Sequence, residues 1–589
     1  MAIECKSKPK YFWKYVQDKL KISTGIGTLK NENGETISTD KGKANVLNNF
    51  FSSVFTKEDR SNLPEVDRDS KSKGNRLTDI DIDVETVKKK LRELDVSKAQ
   101  GPDQLPARVL KEIANEISEP LTKLLKLTLE QGELPKEWKN AEVIAIFKKG
   151  TKTDPGNYRP VSLTCITCKV MESIIRDNID FYFKENKLIS DCQHGFRRKR
   201  SCVTQLLCVM EQFTKLMDTG KTIDVVYLDF KKAFDSVPHE RLLLKLSAYG
   251  LDGKVLQWIR SFLSDRTQRV RVGTSYSEQA EVTSGIPQGS ILGPVLFTIF
   301  INDLPDVVNS QCKIFADDTK VYNTSDKKDL LQADLHSLQT WTEKWNLYFN
   351  VQKCKVMYIG KKNPKHDYFM KLNNITSKIS ECDSEKDLGI TFDTSLKFDN
   401  HIQNKINKAN QVMGLIKRSF DYLHKDVFVR LYKTLVRPHL EYGNSVWHPN
   451  LKRQSIAIEK VQRRATKVVK ACKNMSYEER LRFLHLPSLK GRRIRGDLIQ
   501  VYKIVTNIDD VDFHDFFTNK TVDKTRNSDG KLFLNRSITN IRKQFFTNRA
   551  VPLWNDLPPN IKSAPNINHF KNILDDNPKM KAKLQRFDE

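Results

Sequence analysis

Residues 96–395 alternate short strand-like apolar runs with helix-spaced ones, whereas from Leu396 onward apolar positions recur at helical spacing, as at Ile402, Ile406, Met413 and Ile416. The pattern predicts a mixed α/β region followed by a helical one. Ile223–Asp229 (IDVVYLD) is nearly all apolar and β-branched, the pattern of a strand buried on both faces, and ends in an aspartate. A helix follows, with Pro238 suited to its first turn and Gly250 to its end. Cys312–Tyr322 (CKIFADDTKVY) places two β-prone arms around Asp317-Asp318 and reads as a hairpin with both carboxylates at the bend. Further helices are expected over Tyr11–Leu20, Lys43–Phe55 and Asp81–Leu94, and a polar linker over Lys57–Asn75. Residues 451–500 read as basic and mostly helical, and the chain beyond Asn519 as loop-rich with aromatics such as Phe545, Phe546 and Trp554.

Composition narrows the class. Of 589 residues 38% are hydrophobic, enough for sizeable cores, and no internal repeat is visible. The longest apolar run, Ile291–Ile301, is broken by Gly293 and Pro294 and is too short to cross a bilayer, which takes about 20 residues, so no membrane partner is expected. Ten cysteines lack a framework spacing and Met1 opens no secretory signal, so reduced intracellular thiols are expected; Cys165 and Cys168 read as buried helix residues. The net charge is +27, and residues 396–589 carry much of it, with 38 Lys and Arg against 19 Asp and Glu. Such a surface favours polyanions through counterion release.

Adjacent acids in a turn are ordinarily solvated turn chemistry. A third acid at the tip of a buried strand changes that reading, because carboxylates converging from two strands can hold two Mg²⁺ ions about 3.5–4 Å apart. Mg²⁺ takes few carboxylates together with substrate phosphates. Asp229, Asp317 and Asp318 are therefore the candidate metal-binding catalytic set.

Around these acids stand, in order, KAQGPDQLPARVLK (98–111), LPKEWKNAEVIAIFKKG (134–150), NYRPVSL (157–163), QHGFRRKRSCVTQL (193–206), YLDFKKAFDSVPH (227–239), SGIPQGSILGPVLFTIFINDL (284–304), IFADD (314–318), WNLYFNVQKCK (345–355) and KDLGITFD (386–393). These blocks resemble the reverse transcriptases of non-LTR retrotransposons, particularly the jockey-like and chicken-repeat-like branches. LYKTLVRPHLEYGNSVWHP (431–449), IEKVQRRATK (458–467), FWKYV near the start and PLWNDLPPNI near the end extend the likeness over nearly the whole chain.

The resemblance implies roles. Asp229 and Asp317 become the main metal ligands, Asp318 the paired acid, and Phe230 a backbone-carbonyl ligand. Lys148, or its neighbour Lys149, and Arg159 grip the incoming dNTP. Phe234 occupies the space of a ribose 2′-OH, Gln288 lies near nucleotide and template, and Lys353 is a general acid toward pyrophosphate. Leu388 and Gly389 form the primer grip, and Arg197, Arg198 and Arg200 contact template phosphates. Gly285 and Gly289 are expected to admit the nucleic acid closely.

The fold implied is an α/β (α+β) right-hand polymerase with a small antiparallel palm sheet. Its expected divisions are an N-terminal extension (1–95), fingers and palm (96–395), a helical thumb (396–475) and a basic C-terminal region (476–589) that binds nucleic acid. The function implied is RNA-directed DNA synthesis on a DNA primer by target-primed reverse transcription. It would use two Mg²⁺ ions, with Mn²⁺ as a possible substitute, in the nucleus after cytoplasmic RNA–protein assembly. The first 95 residues fit no apurinic-endonuclease-like domain, so the chain reads as the C-terminal part of a longer element protein or a truncated copy, nicked targets coming from a separate or upstream activity. The competing reading is a catalytically inactive, element-derived nucleic-acid-binding protein.

Overall fold

A computed structural model describes residues 10–19, 25–66, 71–72, 74–372, 375–420, 422–520 and 530–584. Two five-stranded sheets organise the first two thirds of the chain. The palm sheet runs Ser380–Glu381, Lys355–Ile359, Ile223–Leu228, Asp318–Thr324, Gln311–Phe315, with Ile223–Leu228 at its centre. Both neighbours of that strand are antiparallel to it. The second sheet pairs Asn140–Phe147 with the antiparallel Tyr158–Leu163 and the parallel Arg266–Val272. Its core closes against the Asp40–Ser53 helix through Ala44, Leu47 and Phe51.

The central strand is apolar because it is covered on both sides. Ile223 and Val225 face one hydrophobic core, and Val226 and Leu228 the other, the two-residue alternation of a strand. Each fully buried Val or Ile there contributes roughly 1.5–3 kcal/mol of transfer free energy. The first face meets the helical body after residue 390, including Ile402, Ile406, Leu498 and Phe546. The second meets the helices behind the palm, including Ile166–Glu185 and Gly293–Phe300. The mixed α/β architecture with a small palm sheet is the one expected, the sheet being antiparallel except at its Ser380–Glu381 edge, which runs parallel to Lys355–Ile359, and Cys165 and Cys168 are buried as anticipated.

Several expectations shift. The 57–75 stretch is fastened where described: Glu58 accepts from the N–H groups of Glu240 and Arg241 at 2.9 and 3.1 Å and pairs with the Arg241 guanidinium at 2.9 Å. It thereby caps the His239–Ala248 helix, whose neighbours are Pro238 before it and Gly250 two residues after. No core boundary appears at 475. Phe428 and Trp447 share one core with Leu498, Trp554 and Phe570, so the regions drawn as thumb and C-terminal tail form one body. Phe12 and Val16 of the Lys10–Lys19 helix join it as well. Beyond 519 the chain is more helical than expected, with helices at Asn540–Gln544, Phe546–Asn555, Pro559–Lys562, Ile567–Asp576 and Pro578–Leu584, while residues 521–529 lie outside the described ones.

Candidate active site

Asp229 follows the last residue of the central strand. Leu228 stands opposite Thr319, so one further step of register sets Asp229 against Asp318 at the hairpin end. Asp317 lies in the bend between Gln311–Phe315 and Asp318–Thr324, after Ala316 in left-handed backbone at φ +54°. All three acids thus come to one end of the palm sheet. Solvent reaches Asp317 and Asp318. Surrounding protein still desolvates them, and both pKa values are raised, chiefly by that desolvation and in part by neighbouring carboxylates; Asp318 reaches about 6.

Phe230 is buried and packs against Phe349, the rings tilted by 31° with centroids 4.4 Å apart. The flanking bonds, Lys231 N–H to the Tyr348 carbonyl at 2.9 Å and Asn350 N–H to the Asp229 carbonyl at 2.6 Å, lie on the Phe349 side. The Phe230 carbonyl therefore points to the other edge, toward the acidic hairpin. The Lys353 ammonium sits 3.5 Å from an Asp229 carboxylate oxygen.

Cations face the acids from the second sheet. Arg159 pairs with Ile146 across the strands, and the Lys148 N–H bonds the Asn157 carbonyl at 2.8 Å. The charges of Lys148 and Arg159 both favour ionised Asp317. Lys149 is not among the leading charges acting on Asp317, which separates it from its neighbour. Lys232, which the sequence reading passed over, joins this ring: its ammonium lies 4.9 Å from the Phe50 ring centroid, and Asp235, Lys353 and Lys148 act on its charge.

Phe234 is half-buried, stacked on Phe297 at 4.5 Å with Phe196 edge-on at 6.5 Å. The Gln288 side-chain amide donates to Asp235 at 2.8 Å, while the Gln288 carbonyl accepts from the Ser162 N–H at 2.7 Å. The two glycines of that loop do other work than expected. A Cβ on Gly285 would stand 2.6 Å from the Asp235 carbonyl oxygen, and one on Gly289 2.4 Å from that of Ser162. Their lack of a side chain lets protein backbone approach, at φ +85° and +129° respectively.

Residues 146–423 match the family described as reverse transcriptase (RNA-dependent DNA polymerase). This segment is similar to reverse transcriptase domains. The chain is 31% identical over 384 residues to the RNA-directed DNA polymerase from mobile element jockey of Drosophila melanogaster, covering 62% of this chain and 41% of that protein. It is 28% identical over 422 residues to the probable RNA-directed DNA polymerase from transposon BS of the same species, covering 66% and 45%. Against the probable RNA-directed DNA polymerase from transposon X-element, also from that fly, it is 25% identical over 483 residues, covering 78% and 52%. The chain spans about half the length of these curated relatives.

Enzymes with this domain use divalent metal ions. Among the described residues no three His, Cys, Asp or Glu side chains gather closely enough to hold a metal by themselves. The acids nonetheless fit a hard cation that takes few protein carboxylates, because Asp229, Asp317 and Asp318 concentrate negative charge at one solvent-reached rim.

Outside this rim the same segment places the remaining candidates differently. Leu388 and Gly389 form the two-residue turn between Ser384–Asp387 and Ile390–Asp393, at φ +44° and +87°, the backbone of a type I′ hairpin. The Tyr442 hydroxyl fixes the turn by donating to the Leu388 carbonyl at 2.9 Å. Arg197 and Arg200 turn inward: Arg200 donates to Asp191 at 2.7 Å and Asp510 at 3.0 Å, and Arg197 to Asp510 at 3.1 Å. These guanidiniums are already matched by carboxylates, so their expected phosphate role gives way to joining the domain to the C-terminal body. Arg198 is exposed.

Two bracing elements escaped the sequence reading. The Gln193 side-chain carbonyl accepts from the Ala316 N–H at 3.2 Å, and the His194 N–H reaches the Ile314 carbonyl at 2.9 Å. A Cβ on Gly195 would lie 2.4 Å from the Ala316 nitrogen, so the glycine of QHGF was the available signal. Lys320 and Asp387 form a buried ion pair tying the Ser384–Asp393 hairpin to the acidic one. Their distance in sequence leaves no local pattern.

Proposed function

We propose that the chain is an RNA-directed DNA polymerase that extends a DNA primer 3′-hydroxyl with dNTPs on an RNA template. The observation that carries this is the meeting of Asp229 with the Asp317-Asp318 hairpin, opposite Lys148 and Arg159. Asp229 and Asp317, with Asp318 beside them and the Phe230 carbonyl, would hold two Mg²⁺ ions, or Mn²⁺ in substitution. When bound, such ions activate the primer hydroxyl and neutralise charge on the leaving pyrophosphate.

The chain's own residues carry the rest. Lys148 and Arg159 bind the triphosphate and orient it for in-line attack. Phe234, backed by Phe297, closes the space beside the sugar and disfavours a 2′-hydroxyl. Gln288, fixed at both its amide and its backbone, lies against nucleotide and template. Lys353 stands at the reacting end and donates a proton toward pyrophosphate. Leu388 and Gly389 support the primer terminus, and Arg198 meets template phosphate.

The chain would act in target-primed reverse transcription in the nucleus, on ends nicked by a separate or upstream endonuclease, after assembly with its RNA in the cytoplasm. Residues 96–395 would serve as fingers and palm, and 396–475 as thumb. Primer extension on an RNA template with Mg²⁺ tests the proposal. A dNTP-dependent DNA product is expected; well-folded protein that binds RNA but yields no product favours the inactive binding protein instead.

A further inference from the structure

A groove of about 800 Å³ opens in the helical body, away in sequence from every candidate catalytic residue. Its cations come from separate elements: Lys433 and Arg437 from 432–441, Arg482 from Tyr477–Leu484, Arg492 and Arg495 from Leu489–Val505, and Lys581 from Pro578–Leu584. The acidic lining is Glu478 and Asp575, and Asp576 stands 3.9 Å from the Lys581 ammonium. Behind the wall, Glu441 takes Arg492 through two bonds of 2.8 and 2.9 Å and lies 3.4 Å from Arg437. Asp575 likewise takes Arg495 at 2.6 and 2.8 Å. Three guanidiniums therefore share two carboxylates.

Arg437 shows the consequence. It is largely buried, its Nε stands 3.4 Å from Glu441 without a hydrogen bond to it, and Arg492 and Arg495 also bear on its charge. Arg482 is exposed at the same opening. Lys433 sits within a π turn, Tyr432–Val436, a rare backbone form found often at functional positions. The groove is much larger than one phosphate and draws its positive surplus from several helices, a match to several phosphates along a strand.

We propose that this groove is a second nucleic-acid site, binding the phosphodiester backbone of a strand outside the polymerase cleft. The inference rests on the nucleic-acid reading of the chain but not on its catalytic competence. Binding is therefore measured without Mg²⁺, using full-length chain and a labelled single-stranded RNA, with DNA of the same sequence as the second arm. Combined Lys433→Gln, Arg482→Gln and Lys581→Gln substitutions are expected to weaken RNA binding about tenfold or more at low salt. They should also make the log K against log salt line shallower by about two units, at roughly 0.7 per lost phosphate contact on a single strand. Equal loss in the DNA arm assigns backbone recognition, and loss confined to RNA assigns RNA. Arg482→Glu, a single change at an exposed position, should weaken binding further than Arg482→Gln, and Arg482→Lys should retain it. Parental affinity and slope in both arms, with extension of a short pre-annealed primer–template intact, would overturn the proposal while leaving the polymerase reading standing.

Discussion

The palm rim and the helical C-terminal body are both rich in charge, and they treat it in opposite ways. At the rim Asp229, Asp317 and Asp318 come together with incomplete compensation, Lys353 being the one cation among the described residues within ion-pair distance, 3.5 Å from Asp229. In the C-terminal body many arginines are already matched. Arg542, buried, donates to buried Glu211 at 2.6 Å; Arg549 grips Asp497 at 2.8 and 2.9 Å; Asp510 collects Arg197 and Arg200. Net charge thus overstates how much of the C-terminal region faces a polyanion. Unmatched charge marks where a charged ligand can bind, and matched charge marks architecture.

Breaking a matched pair should have the largest effect on stability. Arg542→Met leaves Glu211 buried with Lys215 at 3.2 Å and the Thr547 hydroxyl at 2.9 Å as remaining partners. A loss of about 3–5 kcal/mol is expected, toward the lower end because of those partners. It is read by urea unfolding, and a Glu211→Met, Arg542→Met double variant should recover part of it. A smaller contrast comes from adjacent arginines. Arg200→Gln should lower stability by about 1–2 kcal/mol, because its partners Asp191 and Asp510 can be rehydrated, and leave the salt dependence of RNA binding unchanged. Arg198→Gln should leave the melting temperature alone and reduce the salt slope by roughly 0.7–0.9.

A separate contrast is a pH dependence within the helical body. His401 is buried against Trp447, accepts from the Thr391 N–H at 3.0 Å, and has its pKa pushed down to about 3 by burial first and nearby lysines second. Between about pH 3 and 6.5 the unfolded chain binds a proton there that the folded chain does not. Stability should therefore fall as pH drops below about 6.5, by at most about 1.4 kcal/mol per pH unit from this site. His401→Gln should remove that part of the slope, as read by urea titrations at pH 7 and pH 5.

The same contrast explains what was legible beforehand. The strand ending in Asp229 could be read because burial on both faces leaves an unbroken apolar run, and the acidic hairpin because its two arms are β-prone around a polar bend. Local periodicity reports local structure. The glycines of GIPQG were recognisable as sites of close approach, but the approaching group, protein backbone at Asp235 and Ser162, was not. Arg197 and Arg200 read as a free basic run because their carboxylate Asp510 lies some three hundred positions away. Glu58, Lys320 and Arg542 depend in the same way on partners that no local pattern announces. The division at 475 has no counterpart in the packing for a related reason, since helices on both sides bury their apolar faces in one core.

Asp317→Asn in the full-length chain tests the central claim most directly, with primer extension, RNA affinity and melting temperature followed in parallel. The asparagine is nearly isosteric and removes one negative charge from the rim. Extension should fall on the order of 10³-fold or more, while RNA affinity and melting temperature stay near the parent's, because the acid serves charge stabilisation at the reacting atoms rather than the fold. Extension falling together with RNA affinity and melting temperature, or extension persisting near the parental rate, would contradict it.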